Sequence, residues 1–210
     1  MTIQQLNKEL GNIDIYLLDQ ILKNRYSKDA KILDAGCGEG RNIIYFLNNN
    51  YNVYGIDNNE DAIRMLHFLV GSGYPSVSKN NFQVCSIERM PFEVNSFDVV
   101  ICSAVLHFAR DHSHFESMFK ALINVLKIYG QIFIRMTSDI GIDTSSFEQN
   151  GDLYHLGDGS TRYLITRELI SELMKKYSLE LIEPIKSTNV NDLRSMATIV
   201  LHKTESSVIS

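Results

Sequence analysis

Short apolar runs alternate along the chain with segments whose apolar side chains recur every three or four positions. Ile13, Leu17 and Ile21, with Leu18 and Leu22 beside them, have helical spacing and predict an opening amphipathic helix. Lys31 to Asp34 reads as a short strand running into a glycine-rich stretch. Arg41 to Asn49 follows as a helix, stopped by Asn48-Asn49-Asn50. Val53 to Ile56 predicts a second strand ending at Asp57. Asn59 to Val70 predicts a helix closed by Gly71 and Gly73. A third strand is expected near Phe82 to Cys85. The fourth, Phe97 to Cys102, is apolar enough to be buried on both faces.

The second half continues the alternation and then loses it. Phe115 to Leu126 presents Met118, Phe119, Leu122, Val125 and Leu126 on one helical face, and Gly130 marks the break before a fifth strand, Gln131 to Met136. From Thr137 to Tyr163 the periodicity disappears and Gly, Asp, Ser and Thr accumulate. Such a long stretch inside a compact domain reads as a functional loop, and a lid over a binding pocket is the preferred expectation over an inert surface loop. Thr166 caps a helix running through Lys176. Strands near Leu179 to Ile185 and Ala197 to His202 close the chain, and residues 204–210 are expected to fray. Alternating strands and helices predict an α/β fold with a mostly parallel, doubly wound sheet. The last two strands are joined by a stretch too short for a parallel crossover, so they form an antiparallel hairpin.

Size and composition narrow the picture. A chain of 210 residues suits one domain, with residues 1–30 as a helical cap. Lys and Arg total 20 against 25 Asp and Glu, a net charge of −5 with no basic run, which argues against nucleic acid as a partner. Cys37, Cys85 and Cys102 show no zinc spacing and read as small buried hydrophobes of a reducing compartment. No signal-peptide pattern opens the chain and no apolar stretch suits a membrane span, so a cytoplasmic protein is expected. The oligomeric state is not specified by the sequence.

The chemistry concentrates where the first strand ends. Ligands of open α/β sheets bind beyond the carboxyl ends of the strands. There the chain reads Asp34-Ala-Gly36-Cys37-Gly38-Glu39-Gly40. Glycines permit positive φ and close approach of a ligand, and amides exposed at a following helix start favour an anionic group. The spacing is GxGxG, one residue tighter than the dinucleotide fingerprint GxGxxG. Glu39 inside the loop would oppose a pyrophosphate. Asp57 lies 17 residues past Gly40, where a carboxylate can accept hydrogen bonds from both hydroxyls of a ribose.

Ile-Leu-Asp-Ala-Gly-Cys-Gly-Glu-Gly-Arg-Asn at 32–42, followed by a strand ending in Asp57, resembles the signature of class I S-adenosylmethionine-dependent methyltransferases. Met-Pro-Phe at 90–92, the run 97–107 and Leu-Lys-Ile-Tyr-Gly-Gln-Ile-Phe-Ile at 126–134 match later landmarks of that family. The resemblance implies a seven-stranded sheet in the order 3-2-1-4-5-7-6 with the last strand antiparallel. It implies that Gly36, Cys37, Gly38 and Gly40 line the methionine part of S-adenosylmethionine. Asp34 would help hold its amino group, Asp57 the ribose, and Asn58 would lie near the adenine. Where many members end the third strand in Asp, this chain has Ser86, followed by Ile87; one of these would make the adenine contact. Cys102 and Ser103 would border the transferable methyl. The glycine loop and Asp57-Asn58 also resemble small-molecule and tellurite-resistance methyltransferases, which adds a chalcogen-oxyanion acceptor as an alternative.

Methyl transfer from a sulfonium is an in-line displacement in which the protein chiefly aligns the reacting atoms, and a general base is optional. His107, a few residues past the fourth strand, is the base candidate, or else a histidine packed beneath the loop. His112 and His114 read as solvated loop histidines, and no metal is expected. Arg135, at the end of the fifth strand, would bind an anionic acceptor or pair with a carboxylate. Motifs for amino-group methylation of nucleic acids and for cytosine C5 attack are absent, which favours a small-molecule acceptor. Two other readings share the sheet: an NAD(P)-dependent oxidoreductase, disfavoured by the loop spacing and the missing Tyr-x-x-x-Lys pair, and a non-catalytic cofactor-binding protein.

Overall fold

A computed structural model describes residues 2–205. Its centre is a mostly parallel sheet. Strands β1 (Lys31–Ala35), β2 (Asn52–Asp57), β3 (Phe82–Val84), β4 (Phe97–Ser103) and β5 (Leu126–Ser138) run parallel in the order β3-β2-β1-β4-β5. Beyond β5 lies antiparallel β11 (Arg194–Lys203), and its far side is paired by β9 (Leu179–Leu181) and β10 (Lys186–Val190). The sheet therefore has eight strands rather than the expected seven, because the outermost position is filled by two segments with 182–185 between them. The hairpin is tighter than the sequence suggested. Only 191–193 connect β10 to β11, with Asn191 and Asp192 at φ of 53° and 54°, a region short polar side chains tolerate.

Alternation along the strands supplies two cores. Ile32, Val99 and Ile101 face one side, with Leu17, Phe46 and Leu66 of the helices α2 (Ile15–Leu22), α3 (Ile44–Asn48) and α4 (Glu60–Gly73). Leu33, Val100 and Cys102 face the other, under α5 (His112–Val125) and α6 (Arg167–Tyr177). Phe115, Phe119 and Leu122 of α5 are fully buried, each contributing roughly 1.5–3 kcal/mol.

Three elements depart from the sequence reading. The opening is two helices: α1 (Ile3–Leu10) begins with a capping box in which Thr2 and Gln5 bond each other's backbone amides, and α2 begins at Asp14. The expected helix from Arg41 starts only at Ile44, since Gly40 at φ 93° leads into a turn through Ile43. The 137–163 stretch holds a three-stranded antiparallel meander, β6 (Glu148–Asn150), β7 (Leu153–His155) and β8 (Thr161–Tyr163). Of the tail expected to fray, Thr204 is tied to the Ser178 carbonyl by both its amide and its hydroxyl, and 206–210 lie outside the described residues. No helix among the described residues is long and apolar enough to cross a membrane.

Candidate active site

A cleft of about 1160 Å³ opens over the carboxyl ends of β1, β2 and β4. It is lined by Gly36, Cys37, Gly38, Asp57, Asn58, Ser86 and Ile87, by Ser103, Val105, Phe108, Arg110 and Met118, and by Asn12, Arg41 and Asn42. Its volume is somewhat above the range of about 300–1,000 Å³ usual for a small-molecule pocket.

The glycine loop is closed on itself. The Gly36 and Cys37 amides both donate to the Ile56 carbonyl, at 2.8 and 3.0 Å, and the Gly40 amide to the Cys37 carbonyl. The Gly38 amide donates to Asp57 Oδ2 at 2.8 Å, while Asp57 Oδ1 accepts from the Asn59 amide at 2.9 Å. Those four amides are thus spoken for. Gly36, at φ 83°, could carry no side chain, because a Cβ would lie 2.3 Å from Val105 Cγ2. A Cβ on Gly38, at φ 52°, would meet nothing within 4 Å. Gly38 is therefore bare towards the cleft, and Gly36 is bare to let the β4 exit cross over it. Cys37 turns its thiol down onto the backbone of Gly55, where an added Cβ would lie 2.8 Å from Sγ. Burial pushes that thiol well up, as it does for Cys102.

Asp34 sits beneath this loop, buried and outside the cleft lining, with neither carboxylate oxygen bonded. Burial pushes it up to about 7, against the opposing charge of Arg41 and with a contribution from Asp57. An unpartnered buried carboxylate is costly, and such groups mark places where a cationic partner is expected. Arg41 arches over the same place, with Nη2 3.4 Å from Ser103 Oγ and 4.0 Å from Asp14 Oδ2.

Several sequence expectations are displaced. His107 is buried in the turn 106–108 and does not line the cleft. Its Nδ1 accepts from the Thr137 amide at 3.4 Å, and burial, with the charges of Arg162 and Arg194, lowers it to about 4. A weakly basic nitrogen already bonded to an amide is unsuited to general base work, so the packed-histidine alternative holds. Arg135 is spent on Asp14 at 2.9 Å and stacks 5.0 Å from the Tyr16 ring centroid, which realises its carboxylate-pairing alternative. Cys102 points into the core under α5, leaving Ser103 as the strand-end residue in the cleft. Of residues 1–30 only Asn12 lines the cleft. The 137–163 stretch does not line it and reaches its mouth through Arg162, whose guanidinium lies 4.7 Å over the Phe108 ring.

Sequence reasoning missed Asp14, Glu88 and His114. Asp14 accepts from the Tyr16 amide, Ser103 Oγ and Arg135, and its amide donates to Asn42 Oδ1. Its N-cap position was a visible signal; its place under the cleft was not. His114 is a cleft residue rather than a solvated one. Its Nδ1 accepts from the Arg110 amide at 3.1 Å, which leaves Nε2 to donate to Glu88 Oε1 at 2.5 Å. Burial disfavours the Glu88 charge, but backbone bonds and His114 outweigh it and hold the carboxyl below its usual range. Among the described residues no group of three or more His, Cys, Asp or Glu side chains could hold a metal.

Residues 33–134 match a family model described as a methyltransferase domain. An S-adenosylmethionine-dependent methyltransferase of Methanosarcina mazei is 20% identical, with a TM-score of 0.69 over 88% of this chain and 97% of that one. The fold is that of a methyltransferase. The 1,6-didemethyltoxoflavin N1-methyltransferase of Burkholderia thailandensis, solved with its acceptor and S-adenosylhomocysteine, also reaches 0.69, at 18% identity over 96% of this chain and 82% of its own. In sequence, a protein of Encephalitozoon cuniculi named as a methyltransferase is 24% identical over 160 residues, 76% of this chain and 68% of the relative.

Proposed function

We propose that this chain is an S-adenosylmethionine-dependent methyltransferase acting on a small-molecule acceptor. The observation that carries this reading is a buried, unbonded Asp34 carboxylate beneath a loop whose four glycine-region amides are already bonded. An unbonded carboxylate at that place opposes a pyrophosphate and is a ready partner for an ammonium group, which disfavours the dinucleotide alternative. Bound there, S-adenosylmethionine would supply a methyl group activated by a sulfonium. Asp34 would take its amino group, and Gly36, Cys37 and Gly38 would wall its methionine end, whereas Gly40 is not in the cleft lining and a side chain there would meet Leu66 and Ile43. Asp57 already accepts two amides, but each oxygen keeps a lone pair for a ribose hydroxyl. Asn58, Ser86 and Ile87 would face the adenine, and Ser103 would border the methyl. Alignment of cofactor and acceptor is then the protein's main catalytic contribution.

Thermal melting tests the reading. S-adenosylmethionine and S-adenosylhomocysteine should each raise the melting temperature, by about 2.7 kcal/mol of stabilisation at a hundredfold excess over Kd, and NAD(H) should leave it unchanged. A shift with NAD(H) alone would sink it, as would none with either adenosyl ligand. Release of S-adenosylhomocysteine across an acceptor panel then separates a catalyst from a non-catalytic binder.

A further inference from the structure

The Phe108 side of the cleft carries a charge pattern at odds with the chain's net −5. Arg135 is paired with Asp14, Arg194 with Asp158, and Arg41 partly with Asp14 and Ser103. Arg89, Arg110 and Arg162 form no ion pair among the described residues. Arg110 is exposed and lines the mouth. Arg162, on β8, is half-buried and held over Phe108, with one N–H given to the Thr161 carbonyl at 2.7 Å. A guanidinium has five donors, so most of Arg162's remain unused. The field there is felt locally, since Arg162 contributes to the lowering of His107. Beside these cations the wall is apolar: Val105, Met118 and Phe108, the last 58% exposed.

Glu88, which lines the cleft, is held by His114, and Asp111 and Asp152 accept from the amides of His114 and His112. Arg162 over the exposed Phe108 ring and Arg110 two residues beyond Phe108, neither paired with a carboxylate, offer a receptor for a planar anion. We propose that the methyl acceptor is an organic anion with an apolar body, its carboxylate or phosphate gripped by Arg110 and Arg162 at the Phe108 rim. The anion is a handle that orients the acceptor, and the nucleophilic atom lies deeper, towards Ser103. This rests on the methyltransferase reading above.

Saturation-transfer NMR on the protein loaded with S-adenosylhomocysteine tests it, using benzoate and phenyl phosphate against their neutral counterparts benzamide and phenol. Each anion should bind at least fivefold more tightly than its neutral match, and the ratio between the two anions tells carboxylate from phosphate recognition. Arg110→Gln with Arg162→Gln should bring the preference within twofold while S-adenosylhomocysteine still binds. Should that double variant fail to fold, Arg110→Gln alone, at an exposed position, gives the same readout. Equal binding of neutral fragments, no fragment binding to the loaded protein, or a preference that survives the substitutions overturns the proposal. Failure of S-adenosylhomocysteine to bind at all defeats instead the reading on which it rests.

Discussion

At the β1–β2 end of the cleft, the cleft-facing groups come from strand ends and the turns just after them: Gly36, Gly38, Asp57 and Asn58, with Asp34 beneath. At the β4–β5 end, the walls come from Asn12, Arg41, Ser103 to Met118 and, over Phe108, Arg162 of the meander. The first end is local and its bonds close on themselves, so its shape is dictated wherever the fold forms. The second is assembled from segments far apart in sequence, and it meets the first where Val105 crosses over Gly36.

The largest expected effect comes from Asp34→Asn. Losing a charge-assisted partner should weaken S-adenosylhomocysteine binding by about ten- to a hundredfold in calorimetry. The same variant has a pH signature. Asp34 is raised to about 7 in the folded protein and lies near 3.9 when unfolded. Between those values the folded state holds a proton that the unfolded state has released. The unliganded wild type should therefore lose stability as pH rises from about 4 to 7 and level off above, and Asp34→Asn should flatten that slope. A slope that survives the substitution assigns it elsewhere.

Asp57→Ala should weaken cofactor binding at least tenfold and also lower the melting temperature, because the Gly38 and Asn59 amides lose their acceptor. Gly38→Ala separates strain from space. With nothing near the new Cβ, the cost in stability should be about 1 kcal/mol from the left-handed backbone alone; a larger loss would mean the loop is less open than described. The smallest effect is expected at His107, where NMR should show no imidazole titration between pH 5 and 8. A titration near 6.5 would return His107 to the list of general bases.

The donor end was legible in the sequence because its residues are neighbours in the chain. Asp34, the glycines and Asp57 follow directly from strand endings. The acceptor end was not, for particular reasons. The sequence leaves Arg135 between an anionic acceptor and a carboxylate, because its partner Asp14 lies 121 residues away. His107 was placed correctly past β4, yet the turn at 106–108 folds its ring inward. The meander was missed because strands of three residues are too short to show alternation. Missing α1 was avoidable, since Thr2 and Gln5 spell a capping box.

The divided outer strand bears on how the protein behaves in a crowded solution. A long free edge offers a row of unpaired amides and carbonyls on which another chain can add. Here one border of the sheet is the three-residue β3, and the other is split into three- and five-residue pieces that step apart at 182–185. Neither border gives an incoming strand an unbroken template. The interruption that made the sheet eight-stranded thus also guards it against edge-to-edge aggregation.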